Sequence, residues 1–181
     1  MLEDPSKPFD LLIGHFLGVG HRVDPDHPSM KSKLQQMNDV LTRVLENLDD
    51  DTPLIVLEDH FGDGILETSS AMWIYSKARA LIDTSLSVPS GLLQFKTFPE
   101  TTISHRSIQQ IDILPTLSLL LGLPVPYDNL GTVIPELFRR DPKGRTLENA
   151  LQINAAQIMR YLDTYRSSPS GGELDERWKN I

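Results

Sequence analysis

The sequence predicts an α/β domain in which helices flank a mixed or mostly parallel sheet. Short apolar runs bounded by turn residues alternate with long stretches of helical periodicity. The order is strand, helix, strand, strand, helix, which is typical of α/β architectures. We expect strands over 10–19, 54–58 and 71–75 to be adjacent in one sheet, with a helix over 29–48 packed across it.

The first predicted strand, LLIGHFLGV, is almost continuously apolar, as in a central strand buried on both faces. His15 within it is predicted to be a core histidine that bonds to the backbone. The loop GHRVDPDHP follows this strand, and its prolines exclude regular structure. Asp24, Asp26 and His27 are assigned to turn chemistry in that loop.

The segment after Pro28 predicts an amphipathic helix. Its apolar residues recur at steps of four and three, the spacing of one helical face. They are Met30, Leu34, Met37, Leu41, Val44 and Leu48. The second strand, LIVL, then leads directly into Glu58, Asp59 and His60, and Asp63 with Gly64 reads as a turn.

The C-terminal half predicts two further helices after a loose connection over 89–99. Asp112 is the expected N-cap of a helix that runs through Leu121 and ends at Gly122. Thr146 is the expected cap of the last helix, whose face with Gln152, Asn154 and Gln157 reads as solvated. Residues 1–175 form one partial domain in this interpretation, and 176–181 form a polar tail.

Composition narrows the function classes. The 181 residues include 17 Lys and Arg against 25 Asp and Glu, a net charge of −8, and there is no dense basic run. Phosphate-backbone affinity needs clustered cations, so no nucleic acid partner is expected. The absence of cysteine excludes disulfides and thiolate zinc sites. No signal peptide is visible, and the most apolar run, 117–123, is shorter than the roughly 20 residues that span a bilayer.

Metal-ligand side chains follow two of the predicted strands. His21 comes just after the first strand, and Asp59 with His60 follows the second. Sites in open α/β sheets form at the carboxyl ends of strands, so these residues can converge. Imidazole and carboxylate ligands suit Zn²⁺. The candidate metal ligands are therefore His21, Asp59 and His60, while Asp83 and His105 receive no role.

Several strings resemble one enzyme family. HFLGVGHRVDPDHPSMKSKLQQMNDVL, LETSSAMWIYSK, IQQIDILPTLSLLLGLPVPYDNLGTVIPELF and LQINAAQIMRYLDTY are similar to the lumenal catalytic domain of the GPI ethanolamine phosphate transferases, in the alkaline phosphatase superfamily. The likeness spans about residues 9–175 and favours the fungal O class. It implies an incomplete alkaline-phosphatase-like fold and an internal fragment of a larger membrane protein.

The resemblance also implies a reaction. In the O class, phosphoethanolamine moves from phosphatidylethanolamine to the third mannose of the GPI precursor, in the lumen of the endoplasmic reticulum. Two Zn²⁺ ions bind the phosphoryl group, a threonine is transiently phosphorylated, and a small membrane subunit is a further expected partner. That threonine lies upstream of this chain, so no residue here is assigned as catalytic.

The metal motifs depart from the family pattern twice. The family reads GVDHxGH after its first strand, whereas here Val19 is followed at once by Gly20 and His21, so a ligand aspartate is missing. The family then has two Asp-His pairs, and here one remains, which aligns with either of them. A two-zinc site needs about six protein ligands. Three candidates predict one weakly held Zn²⁺ ion or none.

Three functional interpretations therefore stay open. The first is a phosphoethanolamine transferase fragment. The second is a non-catalytic remnant, or a fragment from a gene model with misplaced introns, that keeps only the fold. The third is a generic zinc phosphodiesterase, which the O-class strings disfavour. Both losses are short deletions in loops, while the surrounding apolar strings are intact, so the fold is expected to survive better than the chemistry.

Overall fold

A computed structural model describes residues 11–16, 28–57, 71–97 and 101–173. Contacts divide the chain into two compact units, Met1–Leu81 and Ile82–Ile181. Within the described residues each unit has its own two-stranded antiparallel sheet. The described residues thus mix helix and strand, which is consistent with an α/β class, and the alkaline-phosphatase-like arrangement stays a prediction.

Helix α1 of the first unit spans Pro28–Asn47 and confirms the predicted helix over 29–48. Proline at its first position suits a helix start, because the missing N–H has no intrahelical partner there. The apolar stripe is only partly covered, since none of residues 31–47 is buried and Leu34 is 52% exposed. Close packing of this stripe across a sheet, as predicted, is not seen in the described residues.

Strands β1 (Leu54–Leu57) and β2 (Met72–Tyr75) form the sheet of the first unit. They pair antiparallel, with Leu54 opposite Tyr75 and Leu57 opposite Met72. Trp73 and Tyr75 lie on one face, with ring centroids 5.4 Å apart. The two strands are adjacent as predicted, but the predicted parallel sheet is wrong for this pair. A short apolar run indicates a strand without fixing its direction.

The predicted first strand is wrong over the part of it that the structure describes. Residues 11–16 have no strand conformation, and all six are exposed, with Ile13 at 78%. His15 is therefore exposed and not a core histidine. The described sheet contains only β1 and β2, so this run has no strand partner there. Residues 10 and 17–19 lie outside the described residues.

Strands β3 (Gln94–Thr97) and β4 (Ser104–Ser107) form the sheet of the second unit, with Gln94 opposite Ser107. Neither strand was predicted, and 89–99 was expected to be a loose connection. All four residues of β3 are exposed. Periodicity finds strands through their buried face, so a strand without one leaves no signal.

Helix α2 (Ile113–Leu120) follows a 3₁₀ turn over Gln110–Asp112. Gly122 ends the helix with a φ of +68°, as predicted. The Gly122 N–H donates to the Leu119 carbonyl over 3.3 Å, and the Leu123 N–H donates to the Ser118 carbonyl over 2.7 Å. These two bonds form the Schellman motif, in which glycine tolerates the left-handed backbone.

Helix α3 (Arg145–Arg166) packs its first turns against the segment 131–138. Another 3₁₀ turn, Pro135–Leu137, lies in that segment. Among the described residues of the second unit, most of the buried apolar side chains come from these two pieces, and α2 adds Pro115. Those of the two pieces are Val133, Ile134, Pro135, Leu137, Phe138, Leu147 and Ala150. The core of this unit is therefore small. Among the described residues, no helix has the length and apolarity to cross a bilayer.

Candidate functional site

The three predicted metal ligands, His21, Asp59 and His60, lie outside the described residues. So do Asp24, Asp26, His27 and Asp63. The structure places the strand that precedes Asp59, because β1 ends at Leu57. In the described ranges, no group of three or more His, Cys, Asp or Glu side chains is positioned to hold a metal.

The direction of β1 bears on the predicted convergence. Parallel strands bring their carboxyl ends to one sheet edge, which was the reason for expecting His21 and Asp59 to meet. Here the carboxyl end of β1 lies beside the amino end of β2, because Leu57 pairs with Met72. The described pairing therefore does not support a common edge at which His21 and Asp59 would meet. Their shared cleft stays a prediction.

The best-defined polar cluster lies in the second unit and contains Asp112, Thr116 and Asn154. All three side chains are buried, at 7%, 0% and 3% exposure. Their partners are backbone groups, chiefly of the segment 131–134. We call this group the buried polar cluster.

Asn154 holds the segment from helix α3. Its Nδ2 donates to the Gly131 carbonyl over 3.0 Å, and its Oδ1 accepts from the Val133 N–H over 3.2 Å. The sequence placed Asn154 on a solvated helix face, and that prediction is wrong. Amide side chains are usually exposed, and only the tertiary contact shows that this one is buried.

Thr116 and Asp112 hold the same segment from α2 and its leading turn. The Thr116 hydroxyl donates to the Asp112 carbonyl over 2.6 Å and accepts from the Ile134 N–H over 2.9 Å. The Asp112 carboxylate accepts from the Thr132 N–H over 2.8 Å and from the Gln109 N–H over 2.9 Å. Asp112 precedes α2 as predicted, but its side chain makes no capping bond to that helix.

These bonds decide what the cluster can do chemically. The Thr116 hydroxyl proton is committed to a carbonyl, so this threonine is not poised as a nucleophile. The Asp112 carboxylate accepts two backbone N–H groups, and the Asn154 amide is occupied at both ends. The cluster is thus a structural clamp that fixes the loop 131–134, because buried polar groups are stable only when they are bonded.

A sharp turn completes the clamp. The Asn129 side chain accepts from the Gly131 N–H over 2.8 Å and donates to the Ile111 carbonyl over 3.2 Å. A Cβ atom at Gly131 would lie 2.1 Å from that same carbonyl oxygen. Only glycine fits this close backbone approach.

An ion pair joins the second sheet to the clamped segment. Arg106 of β4 donates through Nε to Glu136 Oε1 over 2.5 Å and through Nη2 to Oε2 over 3.1 Å. The side chains are 27% and 17% exposed. Nη1 of Arg106 also donates to the Gln94 and Ser107 carbonyls, so both strands of the sheet are tied to Glu136.

The start of α3 is held by Asp141 and not by Thr146 as predicted. Gly144 is the N-cap residue, with a φ of +72°. The pKa of Asp141 is lowered to about 2, and the largest cause is the hydrogen bond from the Thr146 backbone N–H. Partial burial opposes this effect, while the Arg145 N–H and the Thr146 hydroxyl lower the pKa further. A carboxylate near the positive end of the helix dipole is favourable.

An open groove of about 650 Å³ lies beside the first turns of α3. Its lining includes Leu147, Leu151 and Ala155 at helical spacing, together with Lys143. Arg139 and Ser87 also line it, and Arg139 Nε donates to the Ser87 carbonyl over 2.9 Å. Among the described residues that line the groove there is no histidine or cysteine, and Glu148 is the single carboxylate. This set of side chains does not suggest a catalytic site.

No family model matches the chain, and no solved structure matches it. Curated proteins named GPI ethanolamine phosphate transferases do match it, and they indicate the class of protein that the chain resembles. A Yarrowia lipolytica protein named GPI ethanolamine phosphate transferase 2 is 32% identical over 92% of this chain and 20% of its own length.

Two proteins named as type 3 enzymes are also similar to this chain. GPI ethanolamine phosphate transferase 3 of Schizosaccharomyces pombe is 41% identical over 168 residues, 87% of this chain and 17% of its own length. The human protein named GPI ethanolamine phosphate transferase 3, catalytic subunit, is 38% identical over 90% of this chain and 15% of its own length. These findings confirm the resemblance drawn from the sequence. The chain spans about one sixth of the length of these two relatives.

Proposed function

We propose that this chain is a segment of the lumenal catalytic domain of a type 3 GPI ethanolamine phosphate transferase. The whole enzyme would transfer phosphoethanolamine from phosphatidylethanolamine to the third mannose of the GPI precursor, in the endoplasmic reticulum. The observation that carries the proposal is the identity of 41% and 38% to two such enzymes over about nine-tenths of the chain.

The contribution of this segment to that enzyme would be architectural. Its string NLGTVIPELF, which carries part of the resemblance, supplies the loop 131–134 that the buried polar cluster holds. Five hydrogen bonds from Asp112, Thr116, Asn129 and Asn154 fix the backbone of that loop. A loop fixed this way would support neighbouring catalytic elements of the enzyme.

The chemical contribution would come from His21, Asp59 and His60 as zinc ligands. Bound zinc supplies positive charge that stabilises a transferring phosphoryl group. His21 and His60 would bind through neutral imidazole nitrogens, and Asp59 would supply the negative charge. Three ligands support one ion at most, so this chain would hold Zn²⁺ weakly.

A second subunit is part of the proposal. The human relative is named a catalytic subunit, which implies at least one other subunit in that enzyme. We extend this expectation to the enzyme containing the present chain.

A second candidate function is a non-catalytic remnant of the same fold. Two features of the sequence favour it: Val19 is followed directly by Gly20 and His21, and one Asp-His pair stands where the family has two. Each loss removes a metal ligand, while the buried polar cluster is complete. This candidate therefore predicts a folded domain without transfer activity.

Two grafts into the S. pombe relative separate these candidates. The first replaces its matching 168 residues with this chain unchanged. The second also restores the three residues Asp-His-x that are missing between Val19 and Gly20, and the second Asp-His pair. Mass spectrometry of GPI lipids measures phosphoethanolamine on the third mannose.

The transferase candidate expects some transfer from the unchanged graft, because the S. pombe protein supplies the rest of the enzyme. The remnant candidate expects transfer from the restored graft alone. Transfer by the unchanged graft would show that the ligand losses are harmless. No transfer by either graft, with both proteins stably produced, would reject the assignment of this chain to the transferase.

A further inference from the structure

We draw no further inference here: the strongest candidate, the open groove beside the first turns of α3 that Arg139 and Lys143 help to line, carries nothing, because the guanidinium of Arg139 already donates to three backbone carbonyls and nothing in the structure shows what covers the apolar part of the lining.

Discussion

Arg106 and Glu136 meet through two parallel hydrogen bonds, 2.5 and 3.1 Å long, across 30 positions of sequence. The pair joins strand β4 to the 3₁₀ turn at Pro135–Leu137. Because both side chains are largely shielded from water, this contact is stronger than an ordinary surface ion pair. It links the second sheet to the loop that the buried polar cluster fixes.

The first prediction concerns this ion pair. Glu136→Gln should lower the free energy of unfolding by about 2 kcal/mol, because it leaves a partly buried guanidinium without its carboxylate. Chemical denaturation measures the loss. The control is Asp163→Asn, since Asp163 pairs with Arg166 over 3.8 Å on the exposed surface. That change should cost less than about 0.5 kcal/mol. Equal losses in the two variants would show that Glu136 contributes no more than a surface charge.

The second prediction concerns Asn154. Asn154→Ala should destabilise the second unit by about 3 kcal/mol, because it leaves the Gly131 carbonyl and the Val133 N–H buried without partners. Gln152→Ala is the matched control two positions earlier, where the side chain is exposed and should matter by less than about 0.5 kcal/mol. Hydrogen exchange at the Val133 amide provides a local readout. Unchanged exchange in Asn154→Ala would contradict the clamp.

The third prediction concerns Gly131. Gly131→Ala should destabilise the fold by about 3 kcal/mol or more, because the added Cβ would lie 2.1 Å from the Ile111 carbonyl oxygen. Gly91→Ala is the control, since a Cβ there meets no atom within 4 Å. It should be neutral or slightly stabilising. Thermal unfolding of both variants distinguishes them, and a stable Gly131→Ala protein would show that the turn can open without cost.

The sequence predicts helices better than it predicts their partners. Helix α1 differs from its predicted bounds by one residue at each end, because its apolar spacing persists over five turns. The Gly122 stop of α2 is also confirmed, since a left-handed C-terminal residue strongly favours glycine. Both features depend on local sequence alone.

Features that depend on distant contacts were missed. The direction of β1 relative to β2 has no signature in LIVL, and the exposure of residues 11–16 depends on what lies beside them. Asn154 looks like any solvated amide until Gly131 and Val133 are brought against it. The cap of α3 was predicted at Thr146, but the side chain that bonds the first N–H groups of the helix is Asp141, four positions before Arg145. The predicted metal ligands fall outside the described residues and stay predictions.

The fourth prediction is a pH dependence set by Asp141. Its pKa of about 2 in the folded chain lies below the ordinary value of 3.8, so the ionised form stabilises the fold. That stabilisation is fully present above about pH 5 and is lost as the pH falls from about 4 towards 2. Asp141→Asn should therefore lower the melting temperature at neutral pH, and the difference should shrink towards pH 2. Asp128→Asn, at an exposed position, is the control. A difference that is constant with pH would exclude the carboxylate charge as its cause.

The last prediction concerns zinc. Calorimetric titration of the chain should show no more than one weakly bound Zn²⁺ ion, because His21, Asp59 and His60 are fewer than the ligands of a two-metal site. His21→Ala should abolish that binding, whereas His105→Ala, a histidine on β4 outside the candidate set, should leave it unchanged. Chelation should not change the melting temperature of the second unit, since its described residues contain no group of three metal-ligating side chains. Tight binding of two ions would contradict the predicted loss of ligands. It would direct attention to Asp24, Asp26, His27 and Asp63 as residues that have taken the vacated positions.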